Sequence, residues 1–290
     1  MKIKNSNVCF MNSSSAYRYS LLLILTRIFL PQVKVYVIHH HYQYEVLKGI
    51  KKTIFKFFEL NFLRFSSSII IPNPYVMDRT KNLLPRNKIV YIETSFENIN
   101  IEPKIRNISN GNLLYIGTIE HRKGLHLLLD SLFLLKQEKE HFTCNIVGNI
   151  VDENYYKELI KKIDLYKLEK QVIFHGRVSK EKMHYFLNNT YIFVFPSLLE
   201  GYGRVIIEAM SYSIPVVAFN NSAMPYTIKD GYNGFLAKNQ NPENFKRSIK
   251  KIINNSQLHN HLSKGALLTY NNCSKEDDFM EAVKTFISTL

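Results

Sequence analysis

The sequence predicts an α/β fold built on parallel sheets and shared between two domains, the first of them incomplete. Three observations predict it. From residue 112 onward, short apolar runs alternate with segments of helical period, as strands joined by crossover helices do. Residues 31–93 carry a less regular version of the same alternation. Between them lies EPKIRNISNGN (102–112), polar and poor in large apolar side chains, which reads as a linker. The expected domains are 1–107 and 108–290.

Each element has its own warrant. In the second half, NLLYIG (112–117), FTCNIVG (142–148), QVIFHG (171–176), YIFVFP (191–196) and IPVVAF (214–219) are short apolar runs closed by Gly, Pro or a polar residue. Continuous rather than alternating apolar character suits strands buried on both faces. Residues 124–137, 153–166, 180–188 and 204–212 space their apolar side chains as amphipathic helices do, and 242–254, 256–268 and 274–290 follow as helices. In the first half, PQVKVYVIHHH (31–41) reads as a strand ending in three histidines and residues 46–64 as a helix. SSIIIPNP (67–74) is a strand and turn, and NKIVYIE (87–93) another strand. Met1–Ser20 offers no opening strand with a Gly-rich loop, so the first domain is expected to be natively short or the product of a truncated gene.

Composition narrows the function. Of the net charge of +14, most sits in residues 1–110, with 16 Lys and Arg against 6 Asp and Glu; residues 111–290 carry 22 against 18. Nucleic acid and an anionic membrane surface are the usual partners of such a region. No nucleic-acid-binding motif accompanies the charge, so nucleic acid is not expected. Cys9, Cys144 and Cys273 have no metal-ligand spacing and are odd in number, which fits free thiols in a reducing compartment. The apolar run 21–30 is interrupted by Arg27 and ended by Pro31, short of a membrane span. The expected location is cytoplasmic, with peripheral attachment to the cytoplasmic membrane face. KGIKKTIFKFFELNFLRF (48–65), basic and rich in aromatics, is the segment expected to meet an anionic membrane; an ordinary packed helix with a charged outer face is the alternative.

The chemistry concentrates in PSLLEGYGRVIIEAM (196–210). Gly201 and Gly203 let the backbone turn tightly after a strand, and a helix opens at Arg204, leaving N–H groups directed at the turn. A strand, glycine turn and helix start suit an anion. Glu200 and Glu208, eight apart, can accept hydrogen bonds from the hydroxyls of a sugar or ribose. A surface turn with one helix-capping Glu would have the same spacing. The second cluster is GTIEHRKG (117–124), where Arg122 and Lys123 precede a helix and could neutralise a diphosphate; a solvated helix start is the alternative. Both clusters lie at carboxyl ends of strands, where open α/β sheets bind ligands.

Residues 112–255 resemble the C-terminal domain of the family 4 retaining glycosyltransferases of the GT-B fold, which has two Rossmann-like domains. The matching strings, in the family's order, are YIGTIEHRKG, VIFHGRVSKEKMHYFLNN, FVFPSLLEGYGRVIIEAMSYSIPVVA and IKDGYNGFL. The resemblance implies an enzyme that moves a sugar from a UDP- or GDP-sugar to a glycan or lipid-linked acceptor, with retention, no metal and no cofactor, in cell-surface polysaccharide or glycolipid synthesis. It implies that Glu208 holds the ribose hydroxyls, that Glu200 lies near the donor sugar, and that Arg122 and Lys123 face the leaving diphosphate. Gly117, Thr118, Gly201, Tyr202, Gly203, Arg204 and Val205 complete the implied donor site. A histidine after the corresponding N-domain strand faces the cleft in many relatives; His39 or His40 is that residue, and strand alternation would aim His39 and His41 one way and His40 the other. The last helix, 274–290, is expected to cross back to the acceptor-side first domain.

Three departures stand out: Thr118 where many relatives carry Arg, Tyr226 at the place of a common Glu, and Ser213 where Gly is frequent at a helix end. The rival expectation is a catalytically inactive remnant that binds nucleotide sugar or scaffolds a partner. A third is another GT-B enzyme, an epimerase or phosphorylase, whose distinguishing residues are not evident.

Overall fold

The computed structural model describes residues 8–13, 16–97 and 109–288. The chain divides into two compact units, Met1–Glu97 with Ser274–Leu290, and Asn98–Cys273. Most of the expected linker, through residue 108, lies outside the described residues, as do residues 1–7, 14–15 and 289–290.

The first unit carries a four-stranded parallel sheet in simple sequential order: β1 (Val8–Asn12), β2 (Lys34–Ile38), β3 (Ser68–Ile71) and β4 (Ile89–Tyr91). Helices α1 (Ala16–Phe29), α2 (Gly49–Phe65) and α3 (Pro74–Thr80) connect them. Alternation along the strands supplies two faces. Val35, Val37, Ile69 and Ile71 pack with Phe62 and Leu63 of α2. Tyr36 and Ile70 face the other way, where Phe279, Ala282, Val283 and Phe286 of the last helix, α11 (Glu276–Ser288), cover them. Those four residues follow helical spacing along one stripe. The turn into α3 is built by Asn73, whose side chain accepts from Val76 N–H at 2.9 Å, followed by Pro74 where no donor is lost.

The strand β1 and the helix α1 correct the expectation that Met1–Ser20 adds no opening strand. VCFMN has neither a clear alternation nor a turn signal, so its strand character comes from pairing: Val8 to Asn12 lie in register with Lys34 to Ile38.

The second unit holds six parallel strands: β5 (Asn112–Ile116), β6 (Thr143–Val147), β7 (Val172–Gly176), β8 (Ile192–Phe195), β9 (Val216–Phe219) and β10 (Gly234–Ala237). Their order is β10-β9-β8-β5-β6-β7. The helices are α4 (Leu125–Gln137), α5 (Glu153–Tyr166), α6 (Lys180–Asn188), α7 (Arg204–Ser211), the short α8 (Met224–Thr227), α9 (Pro242–Ile253) and α10 (Ser256–Asn271). Asp152, Ser179, Asn241 and Asn255 each cap a helix by accepting an N–H three residues on, which fixes where α5, α6, α9 and α10 begin. The strand β10 is not apparent in the sequence. Its Gly234 lies so close to β9 that a Cβ there would meet the Val216 carbonyl oxygen at 2.1 Å, and a glycine in a four-residue run gives little apolar signal.

Strand order then positions the site. The chain builds β5, β6 and β7 outward, then returns to lay β8 on the other side of β5. The loops leaving the carboxyl ends of β5 and β8 therefore part in opposite directions, which opens a crevice at that point.

Candidate donor site

The loop after β5 (117–124) and the turn after β8 (196–203) are stitched together by backbone before any side chain contributes. The Leu198 N–H donates to the Arg122 carbonyl at 2.9 Å. Gly124 has φ of +69°, and a Cβ there would stand 2.1 Å from the Pro196 carbonyl oxygen. Only glycine tolerates both the left-handed conformation and the close approach. The Asn221 side-chain amide, after β9, donates to the Ser197 carbonyl at 3.0 Å and ties in a third loop.

On this frame the structure brings Arg122, Lys123 and Glu200 together. Lys123 Nζ forms an ion pair with Glu200 Oε1, and both side chains are only 12% exposed. The same oxygen accepts from Ser197 Oγ at 2.9 Å and faces Arg122 at 3.5 Å. Lys123 also lies 5.4 Å from the centroid of the Phe195 ring at the end of β8, so an apolar wall backs the ammonium. Arg122 is more open, at 38% of its side chain, and its guanidinium donates to Glu120 Oε1 at 2.8 Å and to the Leu199 carbonyl at 3.2 Å.

Glu120 and Ser197 are the residues that sequence reasoning missed. Glu120 accepts from Thr118 Oγ1 at 2.7 Å as well as from Arg122. Burial would raise its pKa, but the Thr118 hydrogen bond and the Arg122 charge outweigh burial and hold the carboxyl below its ordinary value. Glu120 therefore stays ionised and fixes the Arg122 fork. Thr118 serves this arrangement through its hydroxyl, and its carbonyl accepts from the buried Tyr115 hydroxyl at 2.9 Å. The only sequence signal for Glu120 is its place two residues before Arg122, a spacing with no meaning until the loop has folded.

The remaining expected residues line the same turn. Gly117, Gly201 and Tyr202 are half-buried. Gly203 is buried with φ of +78° and is the cap from which α7 starts; Arg204 is exposed and Val205 half-buried in its first turn. Glu208 lies one turn further along α7, half-buried. Tyr226, on α8, is exposed at 43%. Ser213 adopts φ of +56° just past α7, the left-handed position that favours glycine.

The histidines depart from strand alternation. The strand β2 ends at Ile38, so His39, His40 and His41 follow loop geometry. His39 is fully enclosed, with Nδ1 2.9 Å from Ser13 Oγ and its ring 4.4 Å from that of Tyr42. Burial, with His41 and His40 adding to it, pushes its pKa down to about 3, so it is neutral at pH 7. His40 and His41 are both exposed. The expected pairing of His39 with His41 on one side is thus corrected, and His39 is closed off from direct contact with a ligand.

Comparison with known proteins shows the family. The profile of the family "Glycosyl transferases group 1" matches residues 99–268, more than half of the chain. This chain belongs to the group 1 glycosyltransferases. An uncharacterized glycosyltransferase of Haemophilus influenzae is 30% identical over 196 residues, 67% of this chain and 48% of that one. The capsular polysaccharide biosynthesis glycosyltransferase CapM of Staphylococcus aureus is 26% identical over 234 residues, 74% of this chain and 59% of its own. This group 1 glycosyltransferase chain spans about half the length of the relatives it matches. Among solved structures, Anabaena Alr3699/HepE in complex with UDP and glucose superposes with a TM-score of 0.82 at 19% identity, covering 98% of this chain and 78% of that chain. The architecture is GT-B, two α/β domains on parallel sheets.

Proposed function

We propose that this group 1 glycosyltransferase transfers a sugar from a nucleoside diphosphate-sugar to a glycan or lipid-linked acceptor, with retention of configuration and without a metal. The observation that carries the reading is the convergence of Lys123, Arg122 and Glu200 where β5 and β8 part. Departure of a nucleoside diphosphate develops negative charge on its phosphates. Two cations held in place, one by Glu120 and one against Phe195, stabilise that charge with little reorganisation. In the free protein Glu200 neutralises them, so a diphosphate enters by exchanging one anion for another.

A single Glu200 oxygen takes Lys123, Arg122 and Ser197, an arrangement that positions a carboxylate rather than leaving it to act as a covalent nucleophile. Its role here is to accept a donor-sugar hydroxyl, and Glu208 on α7 takes the ribose hydroxyls. The turn residues Gly201 to Val205 present backbone N–H groups to sugar or phosphate. Gly117 and Thr118 shape the facing loop. His40, exposed after β2, is the remaining histidine candidate for the reacting side, while His39 supports the loop from within.

Support for a nucleotide-sugar donor also comes from the solved neighbours, one of which holds UDP and glucose and another, a Staphylococcus aureus TarM variant, UDP with fondaparinux and alpha-GlcNAc-glycerol. The capsular polysaccharide relative supports cell-surface polysaccharide or glycolipid synthesis. The test is donor hydrolysis and transfer across a panel of UDP- and GDP-sugars with extracted acceptors. Turnover with one donor and retention at the anomeric carbon are expected. Nucleotide-sugar binding with no turnover for any acceptor would establish the inactive-remnant reading, and no binding of either nucleotide would remove the donor site.

A further inference from the structure

The second unit carries a hollow of about 390 Å³ between α4, α5 and α9, and none of its lining residues belongs to the loops 117–124 and 196–203. Sites for small molecules span about 300–1,000 Å³, so the space suffices for one. Its walls are Asp130 and Phe133 of α4, Tyr166 at the end of α5, and Gln240, Asn241 and Glu243 around the start of α9. The helical rise puts Asp130 about 8 Å further along α4 than Leu125, where the loop after β5 ends. Two features give the hollow its chemistry. The first is an aromatic wall. Phe133 and Tyr166 stack with ring centroids 4.2 Å apart and planes 16° from parallel. Lys162 Nζ lies over the Tyr166 ring, 5.6 Å from its centroid. With Phe133 on one face of Tyr166 and the ammonium on the other, the free ring face of the pair is that of Phe133, which is half-buried. The second is a set of polar groups whose charges are already balanced. Asp130 accepts from the Tyr166 hydroxyl at 2.7 Å and pairs with Lys162 at 2.8 Å. Glu243 pairs with Lys246 and Arg247, both at 2.9 Å. Asn241 uses its Oδ1 to accept from the Asn244 N–H at 2.9 Å, which leaves its amide NH2 as a donor, and Gln240 is exposed.

We infer that this hollow is a second carbohydrate site, holding one neutral hexose unit of a glycan against Phe133, with its hydroxyls bonded to Asp130, Glu243 and the amides of Gln240 and Asn241. A pyranose carries both halves of this chemistry. One face of C–H groups packs on an aromatic ring, and the rim of hydroxyls donates to carboxylates and accepts from amides. Other ligands fit less well. A phosphate or another anion would meet two carboxylates. A metal ion would have to displace Lys162 from Asp130, and Lys246 and Arg247 from Glu243. Among the described residues, no group of three or more His, Cys, Asp or Glu side chains could hold one. A purely apolar ligand would strip water from Gln240 and Asn241 without replacing its hydrogen bonds. The hollow itself needs only the fold of the second unit. Its use rests on the reading of this chain as a transferase acting on a glycan: a second hold on the acceptor raises the effective concentration of its reacting end near the donor.

The test is saturation-transfer NMR on the full chain with di- and trisaccharides of glucose, galactose, mannose and N-acetylglucosamine, recorded with and without UDP. Binding of at least one saccharide is expected, unchanged by UDP. Phe133→Leu keeps the apolar volume but removes the ring face, and weakens that saccharide about fivefold. Gln240→Ala removes an amide from an exposed position and weakens it about threefold. The affinity for UDP- and GDP-sugars stays at its wild-type value in both variants, since neither residue lies in the donor loops. A failed donor reading would show separately, as absent nucleotide binding in a chain that still takes the saccharide. The inference is overturned if no saccharide binds, if UDP displaces the one that does, or if both variants bind it as the wild type does. Should Phe133→Leu lose its far-UV circular dichroism, Gln240→Ala alone decides. It is equally overturned if the wild type is a dimer in solution that Phe133→Leu dissociates.

Discussion

Replacing Gly124 by alanine tests the close approach of the loops that follow β5 and β8. Two costs add. A left-handed φ of +69° disfavours any residue with a Cβ by about 1–2 kcal/mol. The new Cβ would also stand 2.1 Å from the Pro196 carbonyl oxygen, inside the 3.0 Å that real Cβ contacts keep. The turn after β8 must then retreat by about 1 Å, which breaks the Leu198 to Arg122 backbone hydrogen bond at a further cost of about 1 kcal/mol. The sum is about 2–3 kcal/mol. Gly231 is the control. Its φ is +76° with nothing within 4 Å of a Cβ, and it precedes the amino end of β10, the edge of the sheet away from the donor loops. Gly231→Ala therefore carries only the conformational cost of about 1–2 kcal/mol. Urea unfolding of both variants can be followed by tyrosine fluorescence, since the chain has 18 Tyr and no Trp. Calorimetry with a UDP- or GDP-sugar supplies the second readout. Gly124→Ala is expected to be less stable than Gly231→Ala by about 1 kcal/mol and to bind donor at least about tenfold more weakly, with the donor affinity of Gly231→Ala close to wild type. Equal destabilisation and equal donor affinity in the two variants would refute the close approach of the loops.

Three other outcomes follow from single positions. Glu208→Ala weakens nucleotide-sugar binding by about 1–3 kcal/mol through loss of ribose contacts, and unchanged affinity in calorimetry would contradict the role proposed for Glu208. Ser213→Gly, at φ of +56° past the end of α7, raises stability by about 1 kcal/mol in urea unfolding; a loss of stability would show that the serine is held by more than its backbone. Hydrogen bonds from Lys246 and then Lys250 hold the Glu138 carboxyl down to about 2, against an ordinary value of 4.5. Its contribution to stability is thus complete above pH 4.5 and is lost as the pH falls through 2. The thermal midpoints of wild type and Glu138→Gln should differ by a small, salt-sensitive amount at neutral pH and converge near pH 2, while a gap that widens in acid would reverse the sign of the linkage.

The legibility of the fold followed the strength of local patterning. The strands β5 to β9 and helices α4 to α7 were readable within a residue or two, because buried parallel strands are continuous apolar runs and their helices have clean apolar stripes. The strands β1 and β10 were not. One is a five-residue run among Asn and Ser, and the other opens on a glycine whose purpose is close contact with β9. Both become strands through a partner distant in sequence. The histidines failed for a related reason: alternation was carried past Ile38, where the strand stops.

For the proposed donor site, residue types alone set out the expected chemistry. Arg122 with Lys123, the glycines at 201 and 203, and carboxylates at 200 and 208 already raise the expectation of an anion and hydroxyl receptor, since charge, turn propensity and acceptor capacity belong to side chains. Tertiary structure decided which of these groups meet. The return of the chain from β7 to β8 beside β5 sets Lys123 against Glu200, 77 residues away in sequence. It also lets Glu120 and Ser197 act as the supports of that cluster. Strand order depends on the packing of whole sheets, a long-range property that no local pattern encodes. Helix α2 shows the same division: the sequence supplied its lysines and phenylalanines, and only the folded unit determined that Ile50, Ile54 and Phe57 face solvent.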